Sequence, residues 1–173
     1  MNAQPGPRDG ATRGGAVVSG RVYTDDDVFR SERESVFDNG WVMVCHESEL
    51  PERFAYRTFE LAGRHAFVIR GPDGVLRGFL NACAHRGARL LEAPAGNAER
   101  IRCFYHLWAY DAQGACVSIP RPEAYEGAGI RREQLGLTPL RTDTHLGLVF
   151  VNFDGRAPAL VEYLSGALDG FQE

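Results

Sequence analysis

The sequence has no lysine: all 19 of its basic residues are arginine, set against 23 acidic ones for a formal net charge of −4. A chain with that balance lacks the basic excess of a general nucleic-acid binder and has no strong attraction to a membrane surface. The missing lysine itself reads as the codon usage of a GC-rich genome, with no functional meaning. No apolar run approaches the roughly 18 residues needed to span a bilayer. The opening stretch, Met1-Asn2-Ala3-Gln4-Pro5-Gly6-Pro7, shows neither a charged region followed by an apolar core nor a twin-arginine signal. The expectation is therefore a cytoplasmic protein. Cysteine is scarce as well: four in 173 residues could form two disulfides at most.

What is present is an ordinary globular composition, 44% hydrophobic and 24% charged. The length suits one domain that buries about two-thirds of its chain's surface. Residues 1–20 carry Gly, Pro, Ala and Arg with few large apolar side chains, and are read as a flexible tail. Thr24 followed by Asp25, Asp26 and Asp27 predicts a capped helix over about 25–38, stopped by Asn39-Gly40, with Val28, Phe29, Val36 and Phe37 on one side. That face is expected to pack on the domain or on a neighbouring subunit.

From Trp41 onward the pattern changes to short strand-like runs: 41–45, 54–61, 65–70, 75–80, 99–103, 108–110 and 148–153. Gly71-Pro72-Asp73-Gly74 and Asp111-Ala112-Gln113-Gly114 supply turns between them. Many short strands with frequent turns predict a mainly β protein, an antiparallel sandwich or barrel. After Pro158, apolar residues at 160, 161, 163, 164, 167 and 168 recur at helical spacing, so 157–173 is read as a short amphipathic helix or linker.

The chemistry is concentrated between Asn81 and Tyr110. Cys83-Ala84-His85-Arg86-Gly87 is followed by Cys103-Phe104-Tyr105-His106-Leu107-Trp108, with 17 residues between His85 and Cys103. Each half offers one thiolate and one imidazole. Zinc accepts the same four groups, but zinc modules usually pair like with like, C-x₂₋₄-C and then H-x₃₋₅-H. Mixed halves instead let both thiolates go to one iron and both imidazoles to the other, as in a Rieske [2Fe–2S] centre. Cys83, His85, Cys103 and His106 are the candidate cluster ligands. Cys45 and Cys116, inside apolar runs, are then read as small buried thiols.

The two ligand motifs, with their flanking HRG and YHxWxY, resemble the Rieske domain of the α subunits of ring-hydroxylating oxygenases. The likeness extends to the Tyr-Thr-Asp helix start, to His46-Glu47-Ser48-Glu49-Leu50-Pro51 and to Gly147-Leu148-Val149-Phe150-Val151-Asn152, and so covers residues 21–156. It implies a Rieske-type β fold and a [2Fe–2S] cofactor. Compared with respiratory Rieske proteins, it places Ala88 and Tyr105 where those have two disulfide-forming cysteines, and Trp108 where those have a serine that donates to the cluster sulfur. Fewer donors to the sulfurs imply a potential near the bottom of the Rieske range, which runs from about −150 to +300 mV. Leu107 stands where glycine is commoner in the family. In these oxygenases the histidine matching His106 bonds an aspartate of the adjacent catalytic domain, the electron's route to a mononuclear iron.

That iron needs two histidines and a carboxylate. Only His46, His65 and His145 remain, in separate segments and without the close His-x₄-His pairing of the family, so they are read as surface or turn histidines and no catalytic residue is assigned. The function expected is electron transfer from a reductase or ferredoxin to a mononuclear iron on a separate catalytic subunit, with no nucleic acid and no membrane as partners. A free-standing ferredoxin-like carrier, a truncated oxygenase fragment without activity, and a binding or sensing module clipped by a cluster or by zinc are the alternatives. Substrate, reductase and oligomeric state leave no trace in this sequence.

Overall fold

The structure, a computed structural model, describes residues 18–125 and 131–167. Ten strands form two antiparallel sheets. In chain order they are β1 (Val42–His46), β2 (Ala55–Leu61), β3 (Arg64–Arg70), β4 (Leu76–Leu80), β5 (Ala95–Asn97), β6 (Arg100–Arg102), β7 (Ala109–Asp111), β8 (Cys116–Ser118), β9 (Pro139–His145) and β10 (Leu148–Asn152). The larger sheet runs β1-β10-β9-β4-β3-β2-β5, and β6-β7-β8 make the smaller one. The protein is mainly β, as its runs and turns predict.

Strand β3 explains how the two sheets share a core. Its alternating side chains feed two different clusters, Ala66 and Val68 on one face, Phe67 and Ile69 on the other, and all four are fully buried. The unbroken apolar run Ala-Phe-Val-Ile is what a strand covered on both sides requires. The first cluster, with Leu50, Val149 and Val151, lies within the large sheet. The second joins Phe67, Ile69 and Phe79 to Ile101 and Tyr110 of the small sheet and to Trp108 just before β7, and both candidate cysteines belong to it. Removing a ring such as Phe67 would cost about 3–5 kcal/mol. The small sheet is therefore anchored through the same apolar mass that surrounds the candidate site.

Two hairpins turn on residue pairs in the left-handed region: Ala62 (φ 51°) with Gly63 (φ 77°), and Leu146 (φ 51°) with Gly147 (φ 78°). Positive φ at both central positions is the turn that matches strand twist. At Gly147 a Cβ would also run into the His46 ring, so glycine is required there twice over. The 71–74 turn joins β3 to β4 as expected, with Gly74 N–H donating to the Gly71 carbonyl at 3.0 Å.

The helical segments differ in detail from their sequence-based description. Residues 1–17 lie outside the described residues, and the tail reading can be followed only at its end, where Ser19 caps a 3₁₀ turn, Gly20–Tyr23. Helix α1 covers Asp26–Glu32 and continues as a π-helical turn, Arg33–Asp38. Its N-cap is Asp25 rather than Thr24. The Asp25 carboxylate accepts from the N–H groups of Asp27 and Val28, whereas Thr24 ends the preceding 3₁₀ turn. No residue of this segment is buried, and Phe29 and Val36 are exposed. Its C-terminal end is tied down by Arg64–Asp38 at 3.0 Å and by Asn152 Nδ2 donating to the Asn39 carbonyl at 3.0 Å. Helix α2 is one short stretch, Leu160–Leu164. Leu160 packs with Trp41 and Phe150 while Val161 and Tyr163 face outward; residues 168–173 lie outside the described residues. Among the described residues no helix is long and apolar enough to cross a membrane.

Candidate metal centre

The site is built from two loops with one backbone plan. In the first, after β4, Cys83 N–H donates to the Ala88 carbonyl (2.8 Å) and Gly87 N–H to the Cys83 carbonyl (2.8 Å). In the second, between β6 and β7, Cys103 N–H donates to the Trp108 carbonyl (2.8 Å) and Leu107 N–H to the Cys103 carbonyl (3.1 Å). The residue four after each cysteine is left-handed, Gly87 at φ 71° and Leu107 at φ 60°. The same turn thus projects a thiol inward twice and an imidazole near each tip, two residues after Cys83 and three after Cys103.

Asn81 holds the first loop in place. It is buried at the exit of β4, where its Oδ1 accepts from Leu90 N–H (3.0 Å) and Leu91 N–H (2.9 Å) and its Nδ2 donates to the Leu91 carbonyl (2.7 Å). One side chain thereby satisfies the backbone where the chain returns from the loop. Removing it would strand buried amides at about 1–3 kcal/mol each. The sequence marks Asn81 only as the start of the ligand stretch, with nothing to distinguish it from a turn residue.

The structure brings Cys83, His85, Cys103 and His106 together. Both thiols are buried, and burial is the main reason the Cys83 thiol is pushed above its ordinary range. The half-buried imidazoles sit at the rim with ring centres 4.5 Å apart and planes at 71°. The His85 pKa is lowered, first by burial and then by His106 and Arg86. Among the described residues no three His, Cys, Asp or Glu side chains are grouped to hold one metal ion. The two thiols neighbour each other and so do the two imidazoles, a sorting that suits two irons with two protein ligands each.

A second feature fits a bound inorganic group. His85 Nδ1 is buried and has no hydrogen-bond partner, an arrangement that native proteins rarely leave uncompensated. A lone pair held this way is suited to a metal. Next to it, Tyr110 Oη lies 3.1 Å from Cys83 Sγ and accepts from Ala84 N–H at 3.0 Å. A cysteine sulfur that binds metal is a thiolate with no hydrogen of its own, so in a loaded centre the phenol would be the donor of this contact. The site therefore has a side-chain donor to a cysteine sulfur even though Trp108 stands where the respiratory proteins have serine. The expectation of few donors overlooked it; the last tyrosine of YHxWxY was its only signal.

The remaining candidates lie elsewhere. Cys45 and Cys116 are free, buried thiols. His46 caps a 3₁₀ turn, its Nδ1 accepting from Ser48 N–H at 3.1 Å. His65 is exposed beside Glu60 at 3.5 Å, and His145 ends β9.

Comparison with known proteins gives the same picture. Residues 40–138 match the family described as Rieske [2Fe–2S] domain. The chain is 43% identical over 153 residues to the α subunit of 2-aminobenzenesulfonate 2,3-dioxygenase from Alcaligenes sp., covering 88% of this chain and 39% of that one. It is 39% identical over 147 residues to the α subunit of biphenyl 2,3-dioxygenase from Rhodococcus jostii, covering 85% and 32%. The crystal structure of naphthalene 1,2-dioxygenase from Rhodococcus sp. superposes with a TM-score of 0.80 at 35% identity, covering 87% of this chain and 34% of that one. The chain thus spans about a third to two-fifths of the length of these relatives.

Proposed function

The chain belongs to the family of Rieske [2Fe–2S] domains, and from that premise we propose that it is the electron-delivering part of a ring-hydroxylating-type oxygenase. Cys83 and Cys103 would hold one iron through their sulfurs, and His85 and His106 would hold the other through ring nitrogens. When bound, the cluster supplies one-electron redox capacity. The rest is the work of the chain. The apolar cluster around the thiols excludes water, Tyr110 donates toward Cys83 Sγ, and the two imidazoles occupy the rim, where a partner can approach. Electrons arrive from a reductase or ferredoxin and leave for a mononuclear iron held by residues outside this chain. The single observation that carries this reading is the sorting of the four groups, thiols buried and imidazoles paired at 4.5 Å toward the surface.

The exposed aromatics beside His106 support a contact there. Phe104 is 71% exposed and Tyr105 57%, and the Tyr105 ring lies 3.9 Å from that of His106. Anaerobic recovery of the protein from its native cell, with iron and acid-labile sulfide counted on the assembly, tests the proposal. Iron in excess of sulfide is the expected result. Equal iron and sulfide, with no further iron-binding polypeptide or segment attached, would replace the oxygenase reading with that of a free carrier. A colourless zinc protein would overturn both.

A further inference from the structure

His85 is enclosed by two aromatic rings, and only one of them comes from the ligand loops. Trp108 stacks on it, ring centres 4.7 Å apart and planes within 8°. Tyr125 stands edge-on to both partners of that stack, 6.0 Å from His85 at 86° and 5.6 Å from Trp108 at 81°. Edge-to-face contacts at such separations are favourable because the positive ring edge meets the negative ring face. Tyr125 is half-buried and packs against the apolar cluster that contains both cysteines. The backbone that delivers it is specialised. Arg121 sits in the left-handed region (φ 52°, ψ 58°), Pro122 opens a 3₁₀ turn over Pro122–Ala124, and Tyr125 N–H donates to the Pro122 carbonyl at 2.9 Å. A non-glycine residue held left-handed is the kind of local strain that persists when surrounding structure over-determines it.

We propose that Tyr125 is a positioning residue for the centre: from outside both ligand loops it locks the His85 ring against Trp108 and keeps water from that side. A stacking partner alone leaves an imidazole free to slide in the plane of contact, and the perpendicular ring blocks that motion. Among the described residues His106 has no such box. Its neighbour Tyr105 is itself exposed and tilted at 35°, so the two imidazoles differ in mobility and in hydration. Reduction adds one negative charge to the centre. Water admitted beside His85 stabilises that charge and raises the potential.

This role depends on His85 being an iron ligand, as proposed, and the test separates the two. The full chain is loaded with its cluster and compared with Tyr125→Ala, Tyr125→Phe and the remote control Tyr163→Ala by redox titration and by electron paramagnetic resonance of the reduced state. Tyr125→Ala is expected to keep equal iron and sulfide, to shift the reduced-to-oxidised ratio at fixed applied potential upward by about threefold or more (~28 mV for one electron), and to alter the resonance anisotropy. Tyr125→Phe, which keeps the ring, and Tyr163→Ala are expected to match the parent. If Tyr125→Ala does not fold, Tyr125→Leu, which keeps water out but has no ring edge, is expected to leave the potential near the parent's and to alter the resonance anisotropy. A loaded variant with the parent's potential and resonance overturns the role of Tyr125 alone, as does a shift in Tyr125→Phe equal to that of the alanine variant. A parent chain that takes up no cluster overturns the ligand reading itself.

Discussion

The two ligand loops share a hydrogen-bond plan and differ in nearly everything around it. Each closes with the same pair of backbone bonds and the same left-handed residue four after its cysteine. The first is pinned from beneath by Asn81, and its histidine lies under Trp108 and beside Tyr125. The second presents Phe104, Tyr105 and Leu107 to solvent around its histidine. The repeated turn sets where the four groups point, and neighbours brought from other parts of the chain set how each behaves. Equivalent loops thus yield two half-buried imidazoles with different neighbours, one flanked by Trp108 and Tyr125 and the other by exposed aromatic side chains.

The largest expected effect treats the loops as equals. Cys83→Ala in the first and His106→Ala in the second are each expected to abolish the visible absorption of the cluster, and a retained spectrum in either would show that the ligand set is wrong. Next comes a difference between the two sulfurs. Tyr110→Phe removes a donor from Cys83 and is expected to lower the midpoint potential by about 60 mV, equivalent to ~1.4 kcal/mol for one electron, while the cluster remains bound. An unchanged potential would mean that the phenol's hydrogen is not directed at the sulfur.

The shared left-handed position gives opposite signs in the two loops. Leu107→Gly relieves a Cβ clash and is expected to stabilise the chain by about 0.5–1 kcal/mol, whereas Gly87→Ala is expected to destabilise it by a similar amount. No atom lies within 4 Å of the position a Gly87 Cβ would take, so backbone strain alone decides that outcome. Denaturant midpoints of the two variants check both. Away from the loops the effect is smaller. Burial pushes the Cys45 thiol up to about 11, and Glu49 adds to it. The proton stays on the folded thiol, so its contribution to stability is complete below the ordinary thiol range and is lost as pH rises toward 11. Cys45 should accordingly resist alkylation near pH 8 in the folded protein and react once it is unfolded; ready reaction in the folded state would contradict its burial.

Much of this was legible in residue order. The ligand residues declare themselves because thiol and imidazole are rare and their mixed spacing suits a two-iron group. Turn 71–74 and strands β1 to β4 follow from strong turn and apolar signals. Strand β9 was not anticipated because Arg141, Thr142, Asp143, Thr144 and His145 give it a polar face and Pro139 opens it. Strand β5, Ala-Gly-Asn, has almost no intrinsic strand preference and exists because β2 offers it an edge. The two-residue turns at 62–63 and 146–147 escaped notice because Ala and Leu occupy positions where Asn or Asp is the usual signal.

Residue type and short-range spacing are enough to specify the mainly β class, the four candidate ligands and the glycine that closes the first ligand loop. Folding in three dimensions is needed to bring Tyr110 to Cys83 from 27 positions away and to set Tyr125 edge-on to the His85–Trp108 stack. Those relations join segments distant in the chain through the packing of two sheets on one core. Local patterns of polarity and turn chemistry carry no record of such contacts.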